Sequence, residues 1–225
     1  MVRPKNIAPP YTRADPMVAI HDRVWYVPLL ADTKAFHFPG WSDPALFGND
    51  NPVCVEFCSG NGDWVIEQAL QNPEENWLAV EKRFDRTRKI WSKIKNRSIR
   101  NLVATYGEGS RISTSYFPND SISKVFVNFP DPWPKNRHAK NRIISVEFLK
   151  EIARILKNQG TFTFVTDDQP YSELFRQLPF GELQQMLDDP GFTPLPEGYG
   201  PSFFASLFIS QGKPIYYHFL QKHKN

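Results

Sequence analysis

Cysteine is scarce in this 225-residue chain: Cys54 and Cys58 are the only two. They lie four residues apart, without a second pair or a histidine cluster nearby. That excludes a Cys/His zinc site and a disulfide framework. Two reduced, semi-buried thiols and no bound metal are expected. Long apolar runs are also missing, which excludes a membrane-spanning helix. The opening MVRPKNIAPPYTRAD lacks the apolar core of a signal peptide, so a cytoplasmic location is expected. Internal repeats and low-complexity tracts are absent, excluding a solenoid. What is present fits one folded unit: 40% hydrophobic and 14% aromatic residues argue against both disorder and a coiled coil.

The net charge of +3 is unevenly spread. Between Lys82 and Arg100 there are nine Lys or Arg residues and one acid, Asp85. Pro134 to Arg142 carries Lys135, Arg137, His138, Lys140 and Arg142, and no acid. Acids follow later, at Glu182, Asp188, Asp189 and Glu197. Such asymmetry suits a phosphate backbone. For the 82–100 block, a solvated helix face explains the charge equally well.

Residues 1–50 are rich in proline and read as an N-terminal arm or lid, with a short strand within Val24 to Leu30. Residues 51–225 read as one catalytic domain. Apolar runs mark strands at Val53 to Phe57, Trp77 to Val80, Leu102 to Tyr106, Lys124 to Phe129 and Thr161 to Thr166. Helical spacing marks Trp64 to Leu70, Phe84 to Ile94 and Phe148 to Leu156, and another helix begins near Pro170. Ile215 to Leu220 reads as a late antiparallel strand. This alternation implies an α/β, Rossmann-like fold, a mainly parallel sheet with helices on both faces. Ligands in such folds bind beyond the carboxyl ends of the strands.

Directly after the first strand of that series lies Glu56-Phe57-Cys58-Ser59-Gly60-Asn61-Gly62. Glycines at 60 and 62 permit a sharp turn and close approach to a ligand. Glu81 closes the next strand, where a carboxylate accepts ribose hydroxyls. A dinucleotide site would want a third glycine for its pyrophosphate. Here Glu56 precedes the loop instead, repelling a pyrophosphate and attracting a sulfonium. The pattern therefore favours S-adenosyl-L-methionine over a nicotinamide cofactor. Glu108, after the third strand of the series, is placed to approach an adenine, or is simply a loop acid.

Asn128-Phe129-Pro130-Asp131-Pro132-Trp133-Pro134-Lys135 follows the next strand. Three alternate prolines fix φ and remove backbone donors. The loop thus holds a carboxylate and an indole rigidly, as a binding site requires.

NFPDPWPKNRHAKNRI resembles the FPDPW-K-x-x-H-x-K-R-R signature of bacterial tRNA (guanine-N7-)-methyltransferases. The resemblance runs from about Val53 to Tyr171, with a weaker echo to Leu220. It implies a class I methyltransferase that forms 7-methylguanosine in tRNA, at position 46 of the variable loop. By position, Glu56, Glu81, Glu108 and Asp131 match the cofactor-contacting acids, and Asp131 is also the catalytic residue. Lys135, Asp167 and Ser202 match substrate positions, with Asp168 the alternative to Asp167. The expected partner is tRNA, with no membrane, and the protein a monomer or homodimer. Three departures stand out. Cys58 replaces the first glycine of E-x-G-x-G-x-G, Asn141 an arginine of K-R-R, and Ala205 the glutamate of a T-x-[YF]-E motif, read here as Ser202-Phe203-Phe204-Ala205. They motivate a rival reading, an RNA-binding protein that kept the fold and lost activity. A methyltransferase for a protein or small molecule, and a nicotinamide oxidoreductase, fit the basic runs and the loop less well.

Overall fold

Strands Val53–Phe57 (β3) and Asn76–Glu81 (β4) are buried at every position, as expected of parallel strands covered on both faces. The computed structural model describes residues 1–187, 199–200 and 202–223; Asp188, Asp189 and Glu197 lie outside them. The chain divides into two compact units, Met1–Phe117 and Pro118–Asn225. Among the described residues, no helix is long and apolar enough to cross a membrane.

The first unit contains β1 (Ala19–His21), β2 (Val24–Val27), β3, helix α1 (Asp63–Gln71), β4, α2 (Phe84–Asn96), β5 (Leu102–Gly107) and α3 (Gly109–Tyr116). β2, β5, β4 and β3 pair in parallel in that order, and β1 joins β2 antiparallel. Residues 1–50, expected as an arm or lid, thus supply two strands. They also supply Trp25, which is fully buried and packs with Phe36, Phe38, Trp41, Tyr116 and Phe117. The first residues are strapped to α2: Arg88 Nε donates to the Pro4 carbonyl at 2.8 Å, and Asn96 Nδ2 to the Val2 carbonyl at 2.8 Å.

The second unit contains β6 (Ile122–Asn128), α4 (Val146–Ile155), β7 (Leu156–Thr166), α5 (Gln169–Arg176), β8 (Leu183–Gln185), α6 (Phe203–Ser210) and β9 (Tyr216–Lys222). β6 pairs with β7 in parallel, and β9 lies antiparallel between β7 and β8, in line with the antiparallel strand expected at Ile215 to Leu220. α4 buries Phe148, Leu149, Ile152 and Ile155 on one face.

His218 sits in the core of this unit, stacked on Phe164 at 5.5 Å and packed against Phe175 at 4.6 Å. Its Nε2 shares a 2.9 Å hydrogen bond with Ser172 Oγ. Burial, reinforced by the charge of Arg176, lowers its pKa from 6.5 to about 4. The folded protein therefore keeps the ring neutral, while the unfolded chain takes up a proton as soon as the pH falls below 6.5. This group leaves stability unchanged above that pH. Below it, stability falls by about 1.4 kcal/mol per pH unit until the folded-state pKa is reached. His218→Gln, which keeps a polar partner for Ser172 without a titrating ring, is expected to abolish that acid-side slope in chemical unfolding curves.

Candidate functional site

The turn after β3 is built from left-handed backbone. Cys58, Gly60 and Gly62 have φ of 61°, 57° and 77°. Ser59 anchors it: its N–H donates to the Val80 carbonyl (3.1 Å) and its hydroxyl to the Glu56 carbonyl (2.9 Å). The Gly60 N–H donates to Glu81 Oε2 at 2.9 Å, and the Arg83 N–H to Glu81 Oε1 at 2.8 Å. Glu81 therefore joins the ends of β3 and β4 and keeps further lone pairs for a ligand. A Cβ on Gly62 would come within 2.7 Å of Ile90 Cγ1, so the glycine is what lets α1 start against α2. Cys58 has no such freedom; its left-handed backbone costs about 1–2 kcal/mol in any L-residue with a Cβ.

Glu56 and Glu81 are 3% and 4% exposed, and Glu108 sits just past the end of β5. Parallel register aligns Phe57 with Val80 and Glu81 with Tyr106, so the three acids share one edge of this unit's sheet. Their field is felt at Cys58. Solvent reaches that residue, yet the surrounding protein strips enough water from its thiol to raise its pKa. Glu81 adds to the rise, Lys82 opposes it, and Glu56 and Glu108 add again; the result is about 12. The thiol is neutral, and the edge is lined by carboxyl groups. Such an edge fits a cationic sulfonium ligand and disfavours a pyrophosphate. Glu108 also holds the local backbone together. As N-cap of α3 it accepts from the N–H groups of Ser110 (3.1 Å) and Arg111 (2.8 Å).

In the second unit, β6 ends at Asn128, whose Oδ1 accepts from the Tyr199 hydroxyl at 2.9 Å. Phe129 and Trp133 bracket the proline-rich loop with φ of 47° and 43°, backbone that aromatics rarely adopt. Exposed Asp131 folds the loop on itself, its Oδ1 accepting from the Trp133 N–H at 3.1 Å. Arg142 clamps the loop from behind, donating to the carbonyls of Pro132 (2.9 Å) and Trp133 (3.0 Å). Expected as part of a phosphate-binding run, Arg142 is instead half-buried and spent on the loop. Lys135, Arg137 and Lys140 are exposed.

The two acids after β7 separate cleanly. Asp168 is the N-cap of α5, accepting from the Tyr171 N–H at 2.8 Å. Asp167 is paired with Lys213 at 3.0 Å. Ser202 is the N-cap of α6, its hydroxyl oxygen accepting from the Ala205 N–H at 3.3 Å, and Ala205 is buried beneath that cap. Sequence reasoning misses Lys213, Tyr199 and Phe208. A serine followed by an apolar run is the available signal for this helix start.

The 82–100 block is partly neutralised, largely by acids from outside it. Lys93 pairs with Asp63 (2.5 Å), Lys95 with Asp22 (2.6 Å), Arg83 with Asp85 (3.1 Å), and Arg97 with Glu67. The three partners other than Asp85 lie outside the block.

A family profile described as putative methyltransferase matches residues 50–185. The chain is 42% identical over 216 residues to a tRNA (guanine-N(7)-)-methyltransferase of Chlamydia muridarum, an alignment covering 96% of each chain. Among solved structures, the 16S rRNA methyltransferase KamB superposes with a TM-score of 0.56 at 13% identity, covering 84% of this chain and 96% of that one. A SAM-dependent O-methyltransferase of Thermotoga maritima gives 0.50 at 17% identity, covering 78% and 60%. The structural likenesses establish the Rossmann-like methyltransferase fold.

Gly62→Ala is expected to lower stability by about 1–3 kcal/mol through the Ile90 overlap and the left-handed backbone. In an Ile90→Ala background, which lacks the overlapping Cγ1 and Cγ2, Gly62→Ala should cost less, leaving only the left-handed backbone part, a coupling readable in denaturant midpoints.

Proposed function

Because the chain belongs to the tRNA (guanine-N7-)-methyltransferase family, it transfers a methyl group to N7 of a guanine in tRNA, and we propose that the acceptor is a variable-loop guanine and the donor S-adenosyl-L-methionine. The observation that carries the site assignment is the strained, clamped loop presenting Asp131. Backbone strain of this kind, offset by a dedicated arginine, gathers at functional positions.

The donor supplies an electrophilic methyl group on a sulfonium. Glu56 would balance its positive charge, Glu81 would accept from ribose hydroxyls, and Glu108, which caps α3, would serve the adenine. Gly60 and Gly62 let the backbone come close. Guanine N7 carries its own lone pair, so no base must first remove a proton. Accepting the methyl group would leave positive charge on the purine. Asp131, the proposed catalytic residue, would orient the guanine and stabilise that charge. Asp167 and Ser202 serve the substrate: the serine oxygen is taken by its cap, which leaves its O–H proton to donate. Lys135 holds a phosphate.

A second reading, an RNA-binding protein with weak or no activity, is favoured by Ala205, which puts a buried methyl where the related motif carries a carboxylate. Methyl transfer to unmodified tRNA, followed by nucleoside analysis, separates the two. The first predicts 7-methylguanosine; donor binding with no methylated nucleoside would establish the second.

Asp131→Asn should lower turnover on the order of 100-fold at saturating tRNA and donor; near-normal turnover would remove Asp131 from the mechanism. Reversing the charges of Lys135 and Arg137 should weaken tRNA binding and flatten its salt dependence by about two counterions. Filter-binding titrations across a range of salt concentrations measure both effects.

A further inference from the structure

After Met1, the most exposed large apolar residues described are Leu29 and Leu30, at 72% and 82%. They form the tip of the turn that follows β2, between buried Pro28 and Ala31. The turn is held from behind. The Ala31 N–H donates to the Pro28 carbonyl at 3.0 Å. The Arg111 guanidinium donates to the carbonyls of Pro28 (3.1 Å), Leu29 and Ala31. One arginine thus fixes the backbone and leaves both leucine side chains in water. β2 runs parallel to β5 with Val27 opposite Gly107, so the turn leaves the sheet at the edge that carries Glu56, Glu81 and Glu108. A Cβ on Gly107 would stand 2.5 Å from the Val27 carbonyl oxygen; the glycine lets the two strand ends close up just before Glu108. Arg111 also joins the two features directly, because its backbone N–H donates to Glu108 Oε2 at 2.8 Å.

A methyl-donating nucleoside has three parts: a cationic sulfonium, ribose hydroxyls and a flat, uncharged purine. The carboxyl groups of this edge suit the first two. The purine gains most by leaving water against apolar surface. The residues that follow Glu81 and Glu108 are Lys82, Arg83, Gly109 and Ser110, and none brings an apolar side chain. Leu29 and Leu30 bring two from the neighbouring strand, about 5 Å away in the hydrogen-bonding direction. A protein partner is a poorer match, because two leucines on a turn present far less than the roughly 800 Å² per partner of a stable interface. We propose that Leu29 and Leu30 form an apolar wall for the adenine of the methyl donor, held beside Glu108 by Arg111. This rests on the reading that the donor is S-adenosyl-L-methionine. It gives residues 1–50 a part in the reaction, since β2 carries the wall to the edge where the acids lie.

The test is titration calorimetry of the full-length wild type, Leu29→Ser, Leu30→Ser, the double serine variant and the double methionine variant. Each is titrated with S-adenosyl-L-methionine and with S-adenosylhomocysteine, whose sulfur is uncharged, and tRNA affinity is measured in parallel. Both positions are exposed and Arg111 holds only their backbone, so the serine variants should fold. Each serine should weaken donor binding roughly three- to tenfold, the size of a partly buried leucine, and the double variant should lose more. S-Adenosylhomocysteine should weaken by the same factor, because the wall acts on adenine and not on the sulfonium. The methionine variant should bind like the wild type, and tRNA affinity should not change. Wild-type affinity for both nucleosides in the double serine variant would overturn the wall. So would a loss confined to S-adenosyl-L-methionine, which would make the effect one of charge. Weakened tRNA binding with unchanged donor binding would also overturn it and assign the turn to the RNA. A wild type that binds neither nucleoside would sink the donor reading itself, a result separate from any of these.

Discussion

Parallel strand pairing is the constraint from which the rest follows. When β3, β4 and β5 run in the same direction, every chain exit from them leaves at the same edge. Glu56, Glu81 and Glu108 are therefore neighbours although they are far apart in sequence. The same constraint demands a return path for each strand, and α1 and α2 provide it. α1 starts within six residues of the end of β3, and so short a reversal needs left-handed backbone. Gly60 and Gly62 meet that need, and Gly62 also clears Ile90. The carboxyl-lined edge and the glycine turn are thus two results of one geometry.

Much of this is legible in the sequence, for a physical reason. β3, β4 and β5 are buried at nearly every position, so they appear as apolar runs that no surface segment would carry. β9 is readable as antiparallel from its place after the last helix. α3, GSRISTSY, is not legible: its serines and threonines favour turns over helix. It stands through the Glu108 cap, buried Ile112 and Tyr116, and the Tyr116 hydroxyl donating to the Thr33 carbonyl at 3.0 Å. α6 escapes because a helix apolar on all sides has no 3.6-residue period to detect. The candidate acids are legible by position, but their local hydrogen bonds are not. That Glu81 holds the Gly60 amide, or that Asp168 caps a helix and Asp167 does not, depends on tertiary contacts.

The basic stretches teach the same lesson about charge. Nine cations against one acid looks like a nucleic-acid face, yet Asp22, Asp63 and Glu67 come from other elements to meet the block. Surface pairs of this kind add little stability, about 0–1 kcal/mol each. Their larger effect is on the field, because a paired lysine attracts a phosphate less strongly than an unpaired one. The exposed Lys135, Arg137 and Lys140 are fewer, but they lie on the segment that follows Asp131.

Guanine N7 methylation asks little of a protein in proton transfer and much in alignment. The nucleophile is neutral and already carries its lone pair, so rate comes from holding two reactants in line and from meeting a positive charge as it moves. A flexible acid would spend its interaction energy on being ordered. Asp131 avoids that loss because prolines fix φ on both sides, Trp133 N–H holds one of its oxygens, and Arg142 grips the carbonyls behind it. The left-handed Phe129 and Trp133 are then the cost of a preorganised carboxylate, at about 1–3 kcal/mol each. None of those three hydrogen bonds involves Ala205, so the absence of a carboxylate there leaves the braced Asp131 loop intact.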